Sequence, residues 1–358
     1  MRKKGVVMLL RSSCLVVMLM TTLLPVAYGQ KVPEPKKLTM VSAYPLANIT
    51  INYAPSLFKK YVEAWSAGRI RIDFKGGTEV IAFSEIPRVT ERGVFDISYT
   101  CPPYVGSQYP AFQLFNFMTP ANERIAHRDN ELWIVMDKIT RNHGMIFLGS
   151  VNGDCPNFIV FSKPPSLDKD GKIATLKGLK IRTAGPFDAD LISNLGGTPV
   201  SMHPGEIYEG LRTKLIDGAV TPMNNAILSQ YWGVISSIST EAIYTFNAML
   251  FMNAKRFDKL PQADRELIMV VANEVQAASY NYTGALTSDG LSSDACFAKI
   301  PKLSFSREAL KNLAETRLKK LSQFAAAEPK HSKEIIKAFT KYYSAQHLPL
   351  STEQSLSR

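Results

Sequence analysis

Two stretches of this chain run through the same order of elements, and that repetition limits the fold more than any other feature. In the first, residues 37–43 (KLTMVSA) alternate as a strand, and 55–66 carries Leu57, Tyr61, Val62 and Trp65 at helical spacing. Arg69 to Lys75 alternates again, with Ile70, Ile72 and Phe74 on one face, and Gly76-Gly77 ends it. Phe83 to Arg92 then reads as a helix and Val94 to Thr100 as a buried strand. In the second stretch, strand-bearing Thr175 to Thr183 leads to a helix over Phe187 to Asn194 and a strand over Gly197 to Met202. A helix over Pro204 to Lys214 and a strand over Ile216 to Thr221 complete it. A shift of 121 positions lays Gly76 on Gly197, Glu85-Ile86 on Glu206-Ile207, Asp96 on Asp217 and Thr100 on Thr221. The order β-α-β-α-β implies a parallel sheet covered by helices. The expected fold class is therefore α/β with two similar lobes, each a mainly parallel sheet with flanking helices.

The ends of the chain follow different rules. Arg2, Lys3 and Lys4, the apolar run Leu15–Leu24, and Ala27-Tyr28-Gly29 together read as an export signal peptide over 1–29. Arg11-Ser12-Ser13 is a poor lipobox before Cys14, and no other segment has the apolar length of a membrane span. The expected location is periplasmic. Loss of the signal takes the formal net charge from +11 to +7, a weak bias toward anionic partners. The lysines are dispersed, and the densest basic cluster, Arg317 to Lys320, reads as a solvated helix face; no nucleic-acid partner is expected. Cys101, Cys155 and Cys296 would survive cleavage. Cys101 and Cys155, each near the end of a core strand, are placed to bridge; three buried reduced thiols is the other reading.

Linkers are expected over Pro110–Asn122 and Tyr244–Arg256. Asp264 to Asp294 has Leu267, Val270, Val271, Val275, Ala278 and Tyr282 at helical steps, and shorter helices follow over Ser306–Phe324 and Lys330–Tyr343. Lobe I is expected to comprise 30–156 plus about 248–287, and lobe II 157–247 plus about 288–345. A polar tail follows over 346–358.

Catalytic signatures are missing. There is no GxSxG, HExxH, Walker loop or GxGxxG, and the five histidines form no spaced pair. No cofactor, metal or catalytic residue is expected. Arg182 stands out instead. It follows Leu179 and Ile181 at the end of a strand and precedes Thr183-Ala184-Gly185-Pro186, a turn into a helix. A planar guanidinium there matches a carboxylate bidentately. The residues alone leave open whether its partner is a bound anion or a neighbouring acid such as Asp188 or Asp190.

The run LKGLKIRTAGPFDADLISNLGGTPVSMHPGEIYEGLRTKLIDGAVTP, residues 176–222, resembles the solute-binding proteins of tripartite ATP-independent periplasmic (TRAP) transporters, the dicarboxylate-type receptors. The matching pieces are KGLKIR, GGTPV, GEIY and IDG, and the resemblance extends from about Lys36 to about Tyr343. It implies two lobes that close by hinge motion on an organic acid anion, a long bracing helix, and delivery to membrane permease subunits driven by an ion gradient. It also implies that Arg182 salt-bridges the ligand carboxylate. Thr221 stands where the family usually has an asparagine that touches ligand; Asn224 and Asn225 are the candidates to compensate. Asn157 and Phe158 stand where some members carry a second basic residue, which favours a monocarboxylate. Tyr44, Tyr99 and Tyr104 lie at the carboxyl edge of the first sheet, where open α/β folds bind ligands, and Trp232 is a candidate pocket wall. A receptor serving another importer or a sensor, and an exported two-lobed enzyme, are the rival readings.

Overall fold

The structure, a computed structural model, describes residues 34–48, 51–117, 131–293 and 295–345. The expected signal peptide, the polar tail and the end of the Pro110–Asn122 linker lie outside the described residues. Strand β1 (Lys36–Ser42), helix α1 (Tyr53–Trp65), β2 (Ile70–Gly76), α2 (Ile86–Glu91) and β3 (Ile97–Thr100) form the first repeat, followed by α3 (Pro102–Val105) and α4 (Glu131–Asn142). Next come β4 (Met145–Phe161), β5 (Ser166–Leu167) and β6 (Ile173–Thr175). The second repeat is β7 (Lys180–Thr183), α5 (Pro186–Asn194), β8 (Thr198–Ser201), α6 (Ile207–Arg212) and β9 (Gly218–Pro222). Helix α7 (Met223–Leu228), β10 (Ser237–Ser239), β11 (Tyr244–Asn253), α8 (Ala254–Asp258) and α9 (Gln262–Ser293) follow. The chain continues through α10 (Ala295–Ala298), β12 (Lys302–Leu303), α11 (Arg307–Ala326) and α12 (Ser332–Ala345).

The repeat is real. Strands run β2-β1-β3-β11-β4-β9-β7-β8, so each half places its second strand outermost and its third toward the middle. Within each half the pairing is parallel. The single-turn 3₁₀ helices at Phe83–Glu85 and Pro204–Glu206, and α2 and α6 after them, obey the 121-position shift residue for residue. So do the aspartates. Asp96 accepts the Thr39 N–H of β1 at 2.7 Å, and Asp217 accepts the Lys180 N–H of β7 at 2.8 Å. Each carboxylate fixes the start of its strand to the neighbour that strand will pair with. The buried strand expected from Val94 begins only at Ile97, because Asp96 makes this side-chain cap and Val94 is exposed.

Two antiparallel strands join the halves. β11 pairs with β3 through Met249–Met252, and β4 pairs with β9 through Asn157–Phe161. β4 and β11 also pair with each other along most of their length. Their ladder is interrupted midway: Phe246 faces Cys155 and Ala248 faces Val151, so residues 152–154 of β4 bulge opposite Asn247 alone. Asn152 there adopts φ 49°, and its side chain donates to the Ile51 carbonyl and the Tyr99 hydroxyl.

Helix α9 packs on β4 and touches both α1 and α7, so it spans the two halves as the long brace expected. Its start is tied to β1, where buried Asp264 takes Lys36 at 2.8 Å and Arg69 at 3.3 Å. Val270, expected on its apolar stripe, is exposed, and Trp65 at the end of α1 stacks on Tyr61 at 5.4 Å in contact with solvent. One core cluster runs through the first half and along α5 and α11; a second fills the face of β4, β9 and α6. Cys101 is a buried free thiol, so it does not bridge to Cys155, whose side chain lies outside the described ones.

Candidate functional site

Arg182 sits near the carboxyl end of β7, and the repeat explains why it is unusual. β1 pairs Val41 with Ser98, and β7 pairs Arg182 with Ala219. Ser98 and Ala219 are equivalent under the shift, so Arg182 occupies the place held in the first half by fully buried Val41. A cation at a core-strand position needs a reason. Arg182 is itself only 3% exposed. Its Nε donates to the Met202 carbonyl at 2.9 Å and Nη1 to the Val220 carbonyl at 2.9 Å. A guanidinium carries five N–H donors, so these two bonds orient the fork without exhausting it.

Neither neighbouring acid neutralises it. Asp188 accepts from the Ala184 and Gly185 N–H groups at 2.6 and 2.9 Å, closing the first turn of α5. Burial pushes the Asp188 carboxyl up, while those N–H groups and the Arg182 charge oppose it. Asp190 is turned away to Lys320 on α11. Among the described residues Arg182 has no ion-pair partner, so the pairing left open by the sequence is not made.

Around the guanidinium stand groups that hydrogen-bond without carrying charge. Tyr104 of α3 contacts Phe83 at 4.6 Å and Tyr44 at 5.6 Å between ring centroids. Tyr44 Oη is buried with no hydrogen-bond partner of good geometry, although the Cys101 thiol and Tyr104 hydroxyl adjoin it. Burial raises the pKa of Tyr44, Tyr104, Tyr231 and Tyr244, and the Cys101 thiol is pushed up to about 12. All five stay protonated near neutral pH. Thr221 is buried beside them, its hydroxyl accepting from Asn225 Nδ2 at 3.1 Å; the same amide reaches the Tyr231 hydroxyl at 3.2 Å. Asn157 pairs through its backbone with Pro222 and Tyr244, and its Nδ2 is buried without a partner.

Two expected site residues fall elsewhere. The Tyr99 hydroxyl points away from Arg182, donating to Ile51 at 2.9 Å and accepting from Asn152 at 2.6 Å, so only its ring backs Tyr44. Trp232 lies edge-on to Phe297 at 5.6 Å, partly buried against the core of the second half. Asn224 has its side chain outside the described ones. Sequence reasoning missed Phe83 and His203, which contact each other at 6.0 Å and lie on opposite halves. The signal was present: each belongs to the turn before its half's Glu-Ile pair, at positions related by the repeat to within one residue.

Among the described residues no cluster of three or more His, Cys, Asp or Glu is placed to hold a metal, and no helix is long and apolar enough to cross a membrane.

A family model for bacterial extracellular solute-binding proteins, family 7 (DctP), matches residues 41–293. The ectoine-binding periplasmic protein TeaA of Halomonas elongata is 24% identical over 240 residues, 63% of this chain. The chain spans 65% of the length of that protein and of a solute-binding protein of Albidiferax ferrireducens. DctP6, a Bordetella pertussis extracytoplasmic solute receptor binding pyroglutamic acid, is 20% identical, with a TM-score of 0.71 over 86% of this chain and 100% of its own. A TRAP periplasmic solute binding protein from Rhodoferax ferrireducens, with bound malonate, is 17% identical with a TM-score of 0.70 over 88% and 100%. These structural likenesses establish a shared two-lobed fold.

Proposed function

The chain belongs to family 7 of the bacterial extracellular solute-binding proteins, and from that premise we propose that it is the receptor subunit of a TRAP transporter for a carboxylate. It captures an organic acid between its halves and hands it to membrane permease subunits; it does no chemistry on the acid. Residues 1–29 direct export and are removed, leaving the receptor in the periplasm. Lobe I is 30–156 with about 248–287, lobe II 157–247 with about 288–345, hinged where β4 and β11 cross.

The observation that carries this reading is the unpaired, buried Arg182. A desolvated cation without a counter-charge is costly, and a ligand carboxylate supplies one with fork-to-fork geometry. Val220 and Met202 hold the guanidinium in place beforehand, so little ordering is left to do at binding. Tyr44, Tyr104 and Asn157 offer neutral polar groups to the rest of the ligand, and Thr221 lines the same strand end. The receptors of Halomonas, Bordetella and Rhodoferax named above bind ectoine, pyroglutamic acid and malonate, all of which carry a carboxylate.

The test is thermal unfolding of the purified protein against a panel of small organic acids, with sugars and amino acids as controls, since a ligand of the native state raises the melting temperature. Arg182→Ala is expected to weaken acid binding at least about 100-fold, from two charge-assisted hydrogen bonds at about 1.5–3 kcal/mol each. A shift with neutral sugars alone, or acid affinity surviving within a few-fold in the variant, would sink the assignment.

A further inference from the structure

His203 is held in one tautomer with its free N–H buried against the Arg182 site. It caps the 3₁₀ turn Pro204–Glu206: Nδ1 accepts the Gly205 N–H at 3.2 Å, and Glu206 reaches back to the His203 N–H at 3.1 Å. An imidazole nitrogen that accepts cannot carry the proton, so in the neutral ring the hydrogen resides on Nε2. That Nε2 is buried and has no partner. The residue before it, Met202, gives the carbonyl that orients Arg182. Phe83 of the other half closes over the ring at 6.0 Å. The charged groups facing it are Arg182 and Glu206; burial and Arg182 lower its pKa, and Glu206 opposes them. A buried donor left unmade is costly in a native structure.

We infer that His203 Nε2–H is a specificity donor for a neutral acceptor on the ligand, an oxo, amide or hydroxyl oxygen beside the carboxylate that Arg182 grips. This rests on the carboxylate-receptor reading. A second carboxylate is poorly served here, because burial and the Arg182 charge hold His203 neutral. The ligand class is therefore a monocarboxylate with a polar neutral substituent next to the acid group. A site built to bond such an oxygen discriminates strongly against an analogue without it.

The variant His203→Asn separates this role from the cap. Asparagine accepts the Gly205 N–H as a good N-cap and loses the distal N–H. Binding is measured calorimetrically for two matched pairs: pyroglutamate against cyclopentanecarboxylate, and 2-oxobutanoate against butanoate. The wild type should favour the oxygen-bearing member of at least one pair. In His203→Asn that member should lose about 10-fold in affinity, its plain counterpart should hold within about twofold, and the unliganded melting temperature should not move. A preference that persists in the variant, equal losses for both members of the pair, or no preference in the wild type overturns the inference while leaving Arg182-dependent acid binding intact. If no acid binds the wild type, or binding ignores Arg182→Ala, the receptor reading itself falls and this inference with it.

Discussion

Gly185, at the start of α5, faces the backbone of Pro103 in α3, and this contact joins the two halves. A Cβ built on Gly185 would lie 2.9 Å from Pro103 Cα and C and closer still to its carbonyl oxygen, where ordinary contact begins at 3.4 Å. The obstructing atoms are main chain and cannot rotate aside. The Gly185 backbone, at φ −170° and ψ −171°, is extended and accepts an alanine without strain. Gly185→Ala therefore leaves each half intact and forces them apart by roughly 1 Å at this point. Overpacking of this kind costs about 1–3 kcal/mol. If closure is what buries the ligand, that cost falls on the closed state alone, and the apparent dissociation constant should rise about 5–150-fold. Calorimetric titration with an acid that binds the wild type, alongside melting of the unliganded protein, measures both states. Affinity should drop while the unliganded melting temperature holds. Unchanged affinity would refute the closure argument. A loss of unliganded stability matching the loss of affinity would place α3 and α5 in one rigid body instead.

Two further outcomes follow from the structure. Asp217→Ala removes the acceptor of the Lys180 N–H at the entry to β7 and should cost about 1–3 kcal/mol by urea unfolding, with acid affinity unaltered in the folded fraction; a loss of affinity without loss of stability would contradict its structural role. Helices α4 and α12 are fastened by Glu131–Lys341 and Lys138–Glu334 at 2.9 and 3.1 Å, and those hydrogen bonds lower the pKa of both exposed glutamates. A depressed folded pKa supplies stability above the unfolded value that is lost as pH falls through the folded one. Hydrogen exchange should therefore find α12 protected at neutral pH and loosened as acid carries the solution below the usual glutamate range, and also at neutral pH in high salt; protection indifferent to both would mean the pairs contribute nothing.

Much of the frame was legible because it is local. Alternation in KLTMVSA and in Arg69–Lys75, and the helical steps of the 264–294 segment, come from which side chains must face inward. The repeat was legible where the halves match in length, from Phe83 to Thr100 and from Pro204 to Thr221. It was hidden ahead of that, because the first half spends more chain between β1 and β2, on the longer α1, than the second spends between β7 and β8. A fixed shift therefore could not lay Val41 on Arg182, the comparison that most sharply marks the arginine. The continuity of β4 was hidden too: Asn152-Gly153-Asp154 and Pro156 look like a turn, yet β11 pairs with β4 on both sides of the bulge there, and β9 joins from Asn157 onward. Tyr99 and Trp232 had suitable positions and unsuitable directions, fixed by Asn152 and Phe297. The place of His203 in the repeat was readable, but the direction of its buried outer nitrogen was not, since it depends on a cap only three-dimensional geometry reveals.

The crossing of β4 and β11 also dictates when the molecule can come into being. Thr100 ends the third strand of the first half, and its ladder partner is Met249. Everything in the second repeat is made between them. As the chain is synthesised, β3 must wait with one edge unzipped until β11 arrives, and long-range closures of this kind are slow. The first repeat therefore cannot finish as a separate folding unit behind the ribosome. If the chain is exported as proposed above, that delay leaves it still able to thread when it reaches the membrane.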